Sequence, residues 1–277
     1  MVFAFIGSSC AILACINLTS QKAIKLFDDK ALENDISAEL SEHYKKEYNA
    51  SGIPPEVYTE SIDSDYIRKS GHTCIEKAFE VLENSGTYSA MPPENAALES
   101  SIDSFFNDYA DKSGYKKDEN FENKLASTKK AAYETISSYS DVFKFSTINN
   151  KGFLSKASKV YSNRFALSAA TIIATFFLML LLLIVNHKKK ITFLYWTGIS
   201  AIIAGISGGG LSIYLLAGNY FDSFSIKQPA VFNAYTGTMY KLTEAFMAVE
   251  IAVTVIGICM LVIYGLFHEK NKKNNVN

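Results

Sequence analysis

The sequence predicts an all-α membrane protein: four transmembrane helices, with a helical-bundle extracytoplasmic domain between helices 1 and 2. Three observations predict it. Apolar runs at 2–18, 165–186, 191–217 and 245–267 each approach or exceed the ~20 residues that a helix needs to cross the hydrocarbon core. The segment 20–164 between the first two runs is polar, holding 19 of the 27 Lys and Arg and 24 of the 28 Asp and Glu, a net charge of −5. Within that segment apolar residues recur at helical spacing, and no alternating strand pattern is evident. Chain averages hide this segregation, because 48% hydrophobic and 20% charged residues describe an ordinary soluble protein equally well.

Residues 1–19 are read as the first transmembrane helix or a signal-like anchor. They lack the basic n-region of a signal peptide. A cleaved signal stays open as an alternative, as does a lipoprotein signal, since Ile12, Leu13, Ala14 and Cys15 resemble a lipobox. All three readings leave 20–164 outside. Orientation follows from basic residues in short loops. His187, Lys188, Lys189 and Lys190 join the second and third runs, and Lys270, Lys272 and Lys273 follow the fourth. Both stretches are expected in the cytoplasm. The domain 20–164 and the connection 218–244 then face outward, and the protein is a multi-pass protein of the cell membrane with a cytoplasmic C-terminus.

The outer domain reads as a bundle of amphipathic helices. Ile36, Leu40, Tyr44 and Tyr48 form one stripe. Pro54 and Pro55 end it and open a short helix over 56–62. Ile67, Cys74, Ile75, Ala78 and Leu82 form the next stripe. Pro92 and Pro93 precede a third, Leu98, Ile102, Phe105, Phe106 and Tyr109. The last runs Phe121, Leu125, Thr128, Ala132, Ile136, Tyr139 and Phe143, with Asp118 and Glu119 placed to favour the helix dipole. Residues 153–164 are expected to continue as one helix into the second span, or else to hinge at Asn150, Lys151 and Gly152. The stretch 269–277 reads as a disordered tail, and 268–277 as the cytoplasmic end.

The membrane domain spans 165–267, with helices at 165–186, 191–217 and 245–267. Its second and third helices must be antiparallel neighbours, because their connection is so short. Ala201, Gly205 and Gly209 make a face of small residues at four-residue spacing, which allows close helix packing in lipid. Gly208, Gly209 and Gly210 also offer a kink. Glu250 is the one acidic residue within the apolar runs, and Thr254 and Gly257 share its face. An intramembrane carboxyl is costly and tends to face the bundle interior. Glu250 and Thr254 are therefore a candidate polar site for a proton, a cation or a partner helix. The competing reading has 251–267 cross alone and leaves Glu250 at the interface. Tyr220, Phe221, Phe224, Phe232, Tyr235 and Tyr240 fit an interfacial aromatic belt or a docking surface for the outer domain. Tyr195 and Trp196 fit an inner-interface anchor.

Catalytic motifs are not found in the sequence. His43, His72, His187 and His268 have no partners at metal-ligand spacing. Asp28 with Asp29, and Asp63 with Asp65, lack calcium-loop spacing and read as turns or caps. There is no phosphate-binding glycine loop and no nucleophile elbow. No catalytic residue, cofactor or metal is therefore expected. The acidic outer domain makes nucleic acid a poor partner. Of Cys10, Cys15, Cys74 and Cys259, only Cys74 lies in that domain, so no disulfide closes within it. This separates the chain from tetraspanins and claudin-like proteins, whose outer domains carry disulfides. Its richness in Lys, Asn, Ser, Tyr and Phe points to an AT-rich bacterial genome. The expected partners are the lipid bilayer and a membrane or envelope protein. The expected role is non-enzymatic: interaction, sensing or an accessory function. One alternative is a transport component, because the layout of one outer domain and three clustered spans resembles that of MacB-type and cell-division ABC permeases. That resemblance covers topology and no residue motif. The other alternative is an ion or proton site at Glu250.

Overall fold

The computed structural model of the chain describes residues 1–187 and 191–274, with side chains through Glu269 at the C-terminal end. Every regular element among the described residues is helical: α1 (Val2–Asn17), α2 (Ser20–Asp29), α3 (Leu32–Ser51), α4 (Glu56–Thr59), α5 (Ser64–Asn84), α6 (Ala96–Ser113), α7 (Glu119–Ser140), α8 (Phe145–Asn150), α9 (Phe153–Tyr161), α10 (Arg164–Val185), α11 (Thr192–Ala217) and α12 (Pro229–Asn274), with a 3-10 turn at Tyr220–Ser223. The chain forms two compact units. One, the lobe, is Ser20–Ser162 with Ser225–Gly237. The other, the bundle, is Met1–Thr19, Asn163–Phe224 and Thr238–Asn277.

In the lobe, local signals set the helix ends. The Asp63 carboxylate accepts from Tyr66 N at 2.7 Å and caps α5. Asn95 accepts from Leu98 N at 3.1 Å and caps α6. Asp118 accepts from Asn120 N and Phe121 N at 3.0 and 3.1 Å and caps α7. Each side chain satisfies first-turn N–H groups that have no partner within the helix. Gly52 and Gly114 end α3 and α6 at φ of +71° and +67°, a left-handed conformation that is strained for other residues.

The core is built from the stripes. Ile36, Leu40, Ile67, Ile75, Leu98, Ile102 and Ile136 are buried in one cluster with Phe27, which has no exposed surface. The Phe27 ring lies so close to the backbone of α5 that a Cβ at Gly71 would collide with it. Tyr44 and Tyr58 stack at 4.2 Å between ring centroids. The outer ends of two stripes leave the core: Tyr48 is half exposed, and Tyr109 is exposed while the adjacent Ala110 is buried. The segment between α5 and α6 is held down through side chains. Tyr66 Oη donates to the Pro93 carbonyl at 2.8 Å, and Ser137 Oγ to the Ala90 carbonyl at 2.6 Å.

Several sequence expectations change. The helix expected over 56–62 is the single turn α4, after which Ser61 and Ile62 close turns back onto Tyr58 and Thr59. The helix expected through 153–164 is interrupted at Ser162 and Asn163, so α9 and α10 are separate elements. A turn does occur at Gly152, with φ of +70°. The connection 218–244 is largely helical, because α12 begins at Pro229, a residue suited to a first turn, and its N-terminus has a partner in the lobe. Glu39 Oε1 accepts from Ala230 N at 3.0 Å, Asn233 Nδ2 donates to Asp35 Oδ2 at 2.7 Å, and Tyr235 Oη donates to the Phe143 carbonyl at 2.8 Å. The six aromatics of this stretch therefore divide. Phe232 and Tyr235 belong to the lobe, whereas Tyr220, Phe221, Phe224 and Tyr240 cluster edge-to-face within the bundle. At the far end α12 stays helical to Asn274, where the sequence reads as a disordered tail, and 275–277 lie outside the described residues.

Three helices, α10, α11 and α12, are long and apolar enough to cross a membrane, and up to four spans result if the bent pair α1 and α2 counts as one. Taken alone, α1 has 16 residues, short of the full span expected from the run 2–18. The outward faces of α10 and α12 are apolar and exposed, as at Ile173, Phe176, Ile184, Ile251, Val255 and Leu266. Such a surface belongs in lipid rather than in water.

Candidate functional site

Helices in lipid gain nothing from leaving water when they associate, so polar contacts and close packing must join them. The bundle uses both. Between α1 and α10 a row of hydroxyls and one thiol forms the seam. Ser8 Oγ and Thr175 Oγ1 are 2.9 Å apart, Cys15 Sγ and Ser168 Oγ are 3.0 Å apart, and Ser168 Oγ also donates to the Ala11 carbonyl at 2.9 Å. Thr175 Oγ1 lies 3.3 Å from the Ala4 carbonyl. This seam is absent from the sequence reading. Its signal was there, because Ser168, Thr171 and Thr175 recur at helical spacing in an otherwise apolar run. Their partners, over 150 residues away, carry no local mark.

Between α11 and α12 the joint is made by small residues. Ala201, Gly205, Gly208 and Gly209 are buried on α11. A Cβ at Gly205 would collide with Thr254 Oγ1 and stand 2.6 Å from the Glu250 carbonyl oxygen. A Cβ at Gly208 would stand 2.8 Å from Glu250 Cγ and 3.1 Å from the Phe246 ring. Gly209 sits at the fringe, its Cβ position 4.0 Å from that of Glu250. Further along, Gly198 and Gly257 bring the two backbones together, with each Cβ position within 3 Å of the other's carbonyl oxygen. The sequence pattern picks out Ala201, Gly205 and Gly209. It passes over Gly198 and assigns Gly208 only to a kink, although Gly208 makes the room for the Glu250 side chain.

Glu250 thus lies inside the bundle and has no exposed surface. Neither carboxyl oxygen has a hydrogen-bond partner among the described residues. Ser9 of α1, itself 3% exposed, is the hydroxyl that faces the carboxyl. Thr254 Oγ1 donates instead to the Glu250 backbone carbonyl at 2.9 Å, so it shares the site without touching the carboxyl through its proton. A second buried hydroxyl, Thr197 Oγ1 on α11, also has no partner among the described residues.

The lobe handles its buried chemistry differently. Asp141, 2% exposed, accepts from Phe145 N, Ser146 N and Ser146 Oγ at 2.8, 2.8 and 2.6 Å, and so fixes the start of α8. Glu33, 5% exposed, accepts from Arg68 Nη2 at 2.7 Å, and Asp28 lies 2.8 Å from His72 Nε2. Burial pushes the Cys74 thiol up to about 12, which keeps it protonated and unreactive. No group of three His, Cys, Asp or Glu side chains gathers as metal ligands among the described residues. A shallow cleft lined by Lys77, Glu80, Asn84, Ser85 and Thr87 contains no catalytic pairing.

No family model, curated protein or solved structure matches this chain.

Proposed function

We propose that the chain is a four-span protein of the cell membrane, with residues 20–164 on the extracytoplasmic side, serving as a non-enzymatic interaction, sensor or accessory protein of a bacterial envelope. Its spans are α1, α10, α11 and the 245–267 part of α12. The support for sidedness is the placement of basic residues. Lys188, Lys189 and Lys190 lie outside the described residues, and the side chains of Lys270, Lys272 and Lys273 do as well, so that support comes from the sequence.

The observation that carries the role is the division of labour within the lobe. Its buried carboxylates Asp141 and Glu33 serve a helix start and an ion pair. On its surface charges form exposed pairs such as Lys46 with Glu42, Lys69 with Asp65 and Lys130 with Glu134. Such pairs add little stability, whereas a mixed-charge surface suits recognition of another protein.

Two measurements test this. Protease added to intact cells is expected to digest the lobe and spare a C-terminal tag. Crosslinking in native membranes, read by mass spectrometry, is expected to join lobe residues repeatedly to one membrane or envelope protein. Cleavage of the tag with protection of the lobe overturns the orientation. Turnover of a substrate by the isolated protein overturns the non-enzymatic role.

A further inference from the structure

Glu250 is the only Asp, Glu, Lys, Arg or His in the four apolar runs. It is also the bundle's most enclosed large polar side chain, with both oxygens unpartnered among the described residues. The groups that face it are Ser9 from α1, the glycine face at Gly205, Gly208 and Gly209 from α11, and Phe246 and Thr254 from its own helix, while the titratable Cys10, next to Ser9, is exposed. The apolar stretch of α10, which packs on α1 and α11, carries no ionisable side chain. Among the described residues no cation thus faces this carboxyl to balance a negative charge.

Removing an ionised carboxylate from water costs several kcal/mol even after the protein relaxes, and an unpaired group of this kind is neutralised instead. Three neutralising ligands compete. A divalent cation needs six or more oxygens for calcium, or an octahedral set for magnesium, whereas one carboxyl and the Ser9 hydroxyl fall short of either. A basic residue on a partner's helix would have to reach a side chain with no exposed surface. A proton needs only the carboxyl itself. We propose that Glu250, enclosed by Ser9 and the glycine face of α11, is an intramembrane proton-binding site, holding a neutral carboxylic acid when the bundle is closed. The glycines at 205 and 208 remove the side chains that would otherwise occupy this space. Release of the proton then requires α11 and α12 to separate enough to admit water or a counter-charge. The proposal rests on the membrane placement of the bundle and not on the role of the lobe.

The test uses the full chain in native membranes. A hydrophobic carbodiimide enters from the lipid, meets the carboxyl as α11 and α12 part, and adds to its protonated form, and the adduct is located by peptide mass spectrometry. The expected result is an adduct at Glu250 at neutral pH, lost in Glu250→Gln and diminished when the membranes are made alkaline. The wild-type adduct is assigned directly, so the result does not depend on the variant folding. Infrared spectra of the same membranes are expected to show a neutral-carboxyl C=O band that Glu250→Gln removes. Absence of a neutral-carboxyl band that Glu250→Gln removes, in protein that resists carbonate extraction, overturns the proton site alone. Modification of Glu250 by a water-soluble carbodiimide with a charged amine overturns it as well, since it places an ionic, wetted carboxyl there. Extraction of the chain by carbonate overturns the membrane placement and this site together.

Discussion

Asp141 in the lobe and Glu250 in the bundle are both buried carboxyls, and they are built in opposite ways. Asp141 receives three hydrogen bonds within 2.8 Å, all from the first turn of α8 and two of them from backbone N–H groups. Glu250 receives none among the described residues and is surrounded by carbon, a hydroxyl and glycine. In the lobe a buried charge organises the backbone, whereas in the bundle the backbone of α11 gives way to accommodate a buried carboxyl. The first is structural by its contacts. The second has no structural contact that a methylene chain could not supply, which turns attention to its chemistry.

The largest expected effect tests that contrast directly. Asp141→Ala leaves two buried backbone N–H groups and a hydroxyl without their acceptor, and should destabilise the lobe by about 3 kcal/mol. Glu250→Gln exchanges one neutral group for another of the same shape and should change bundle stability by less than about 1 kcal/mol. Hydrogen exchange read separately on lobe and bundle peptides suits a protein of two units, for which a single melting temperature is poorly defined. Equal losses from the two substitutions would break the comparison.

Next in size is the packing of α11. At Gly205 an added methyl meets a backbone carbonyl and a threonine side chain that cannot move away cheaply, so Gly205→Ala should cost about 2 kcal/mol through overpacking. Gly210, next to the buried Gly209, has open space where its Cβ would stand. Gly210→Ala should be neutral or slightly stabilising, because alanine is favoured over glycine in a helix by up to about 1 kcal/mol. Resistance to unfolding in graded detergent, measured for the pair, checks the sign of each.

Both units were partly legible in the sequence, and the division follows the range of the interactions. Periodic stripes such as Ile67, Cys74, Ile75, Ala78 and Leu82 report a helix face within one segment, and all five are buried. Asp63 and Asp118 likewise act on residues two or three positions away. The seam between α1 and α10 pairs Ser8 with Thr175 and Cys15 with Ser168, and nothing beside either residue names the other. The sequence at the start of α12 reads as a connection, because the partners that hold its helix, Asp35 and Glu39, lie nearly 200 residues upstream. At the candidate site, composition alone exposes Glu250 as the single charge among apolar runs. Its full enclosure depends on the register of α11 against α12, which makes Gly208 rather than Gly209 the residue beneath the side chain.

A smaller effect is expected at the helix caps of the lobe. Asp118→Ala removes the acceptor for Asn120 N and Phe121 N at the start of α7 and should cost about 1 kcal/mol. The exchange rates of the first-turn amides of α7 should rise well before those of Ile136, which has no exposed surface. If both rise together, the cap holds the whole lobe and not one helix end.

Cys74 provides the finest probe, and no stability need change for it to be informative. It is 1% exposed within the lobe, and burial pushes its thiol up to about 12. At neutral pH it is a neutral, enclosed thiol, and only the thiolate reacts with a maleimide. Labelling of Cys74 in the folded protein should therefore wait for opening of the lobe and match the exchange of its core amides. Cys10 and Cys259 are exposed on the bundle surface and should follow access from lipid instead. A water-soluble maleimide would then leave all three unmodified in native membranes, and unfolding the lobe would release Cys74 alone. Prompt labelling of Cys74 without unfolding would mean that the lobe's core is open, and the contrast between Asp141, held by hydrogen bonds in a closed core, and the enclosed carboxyl of the bundle would lose its premise.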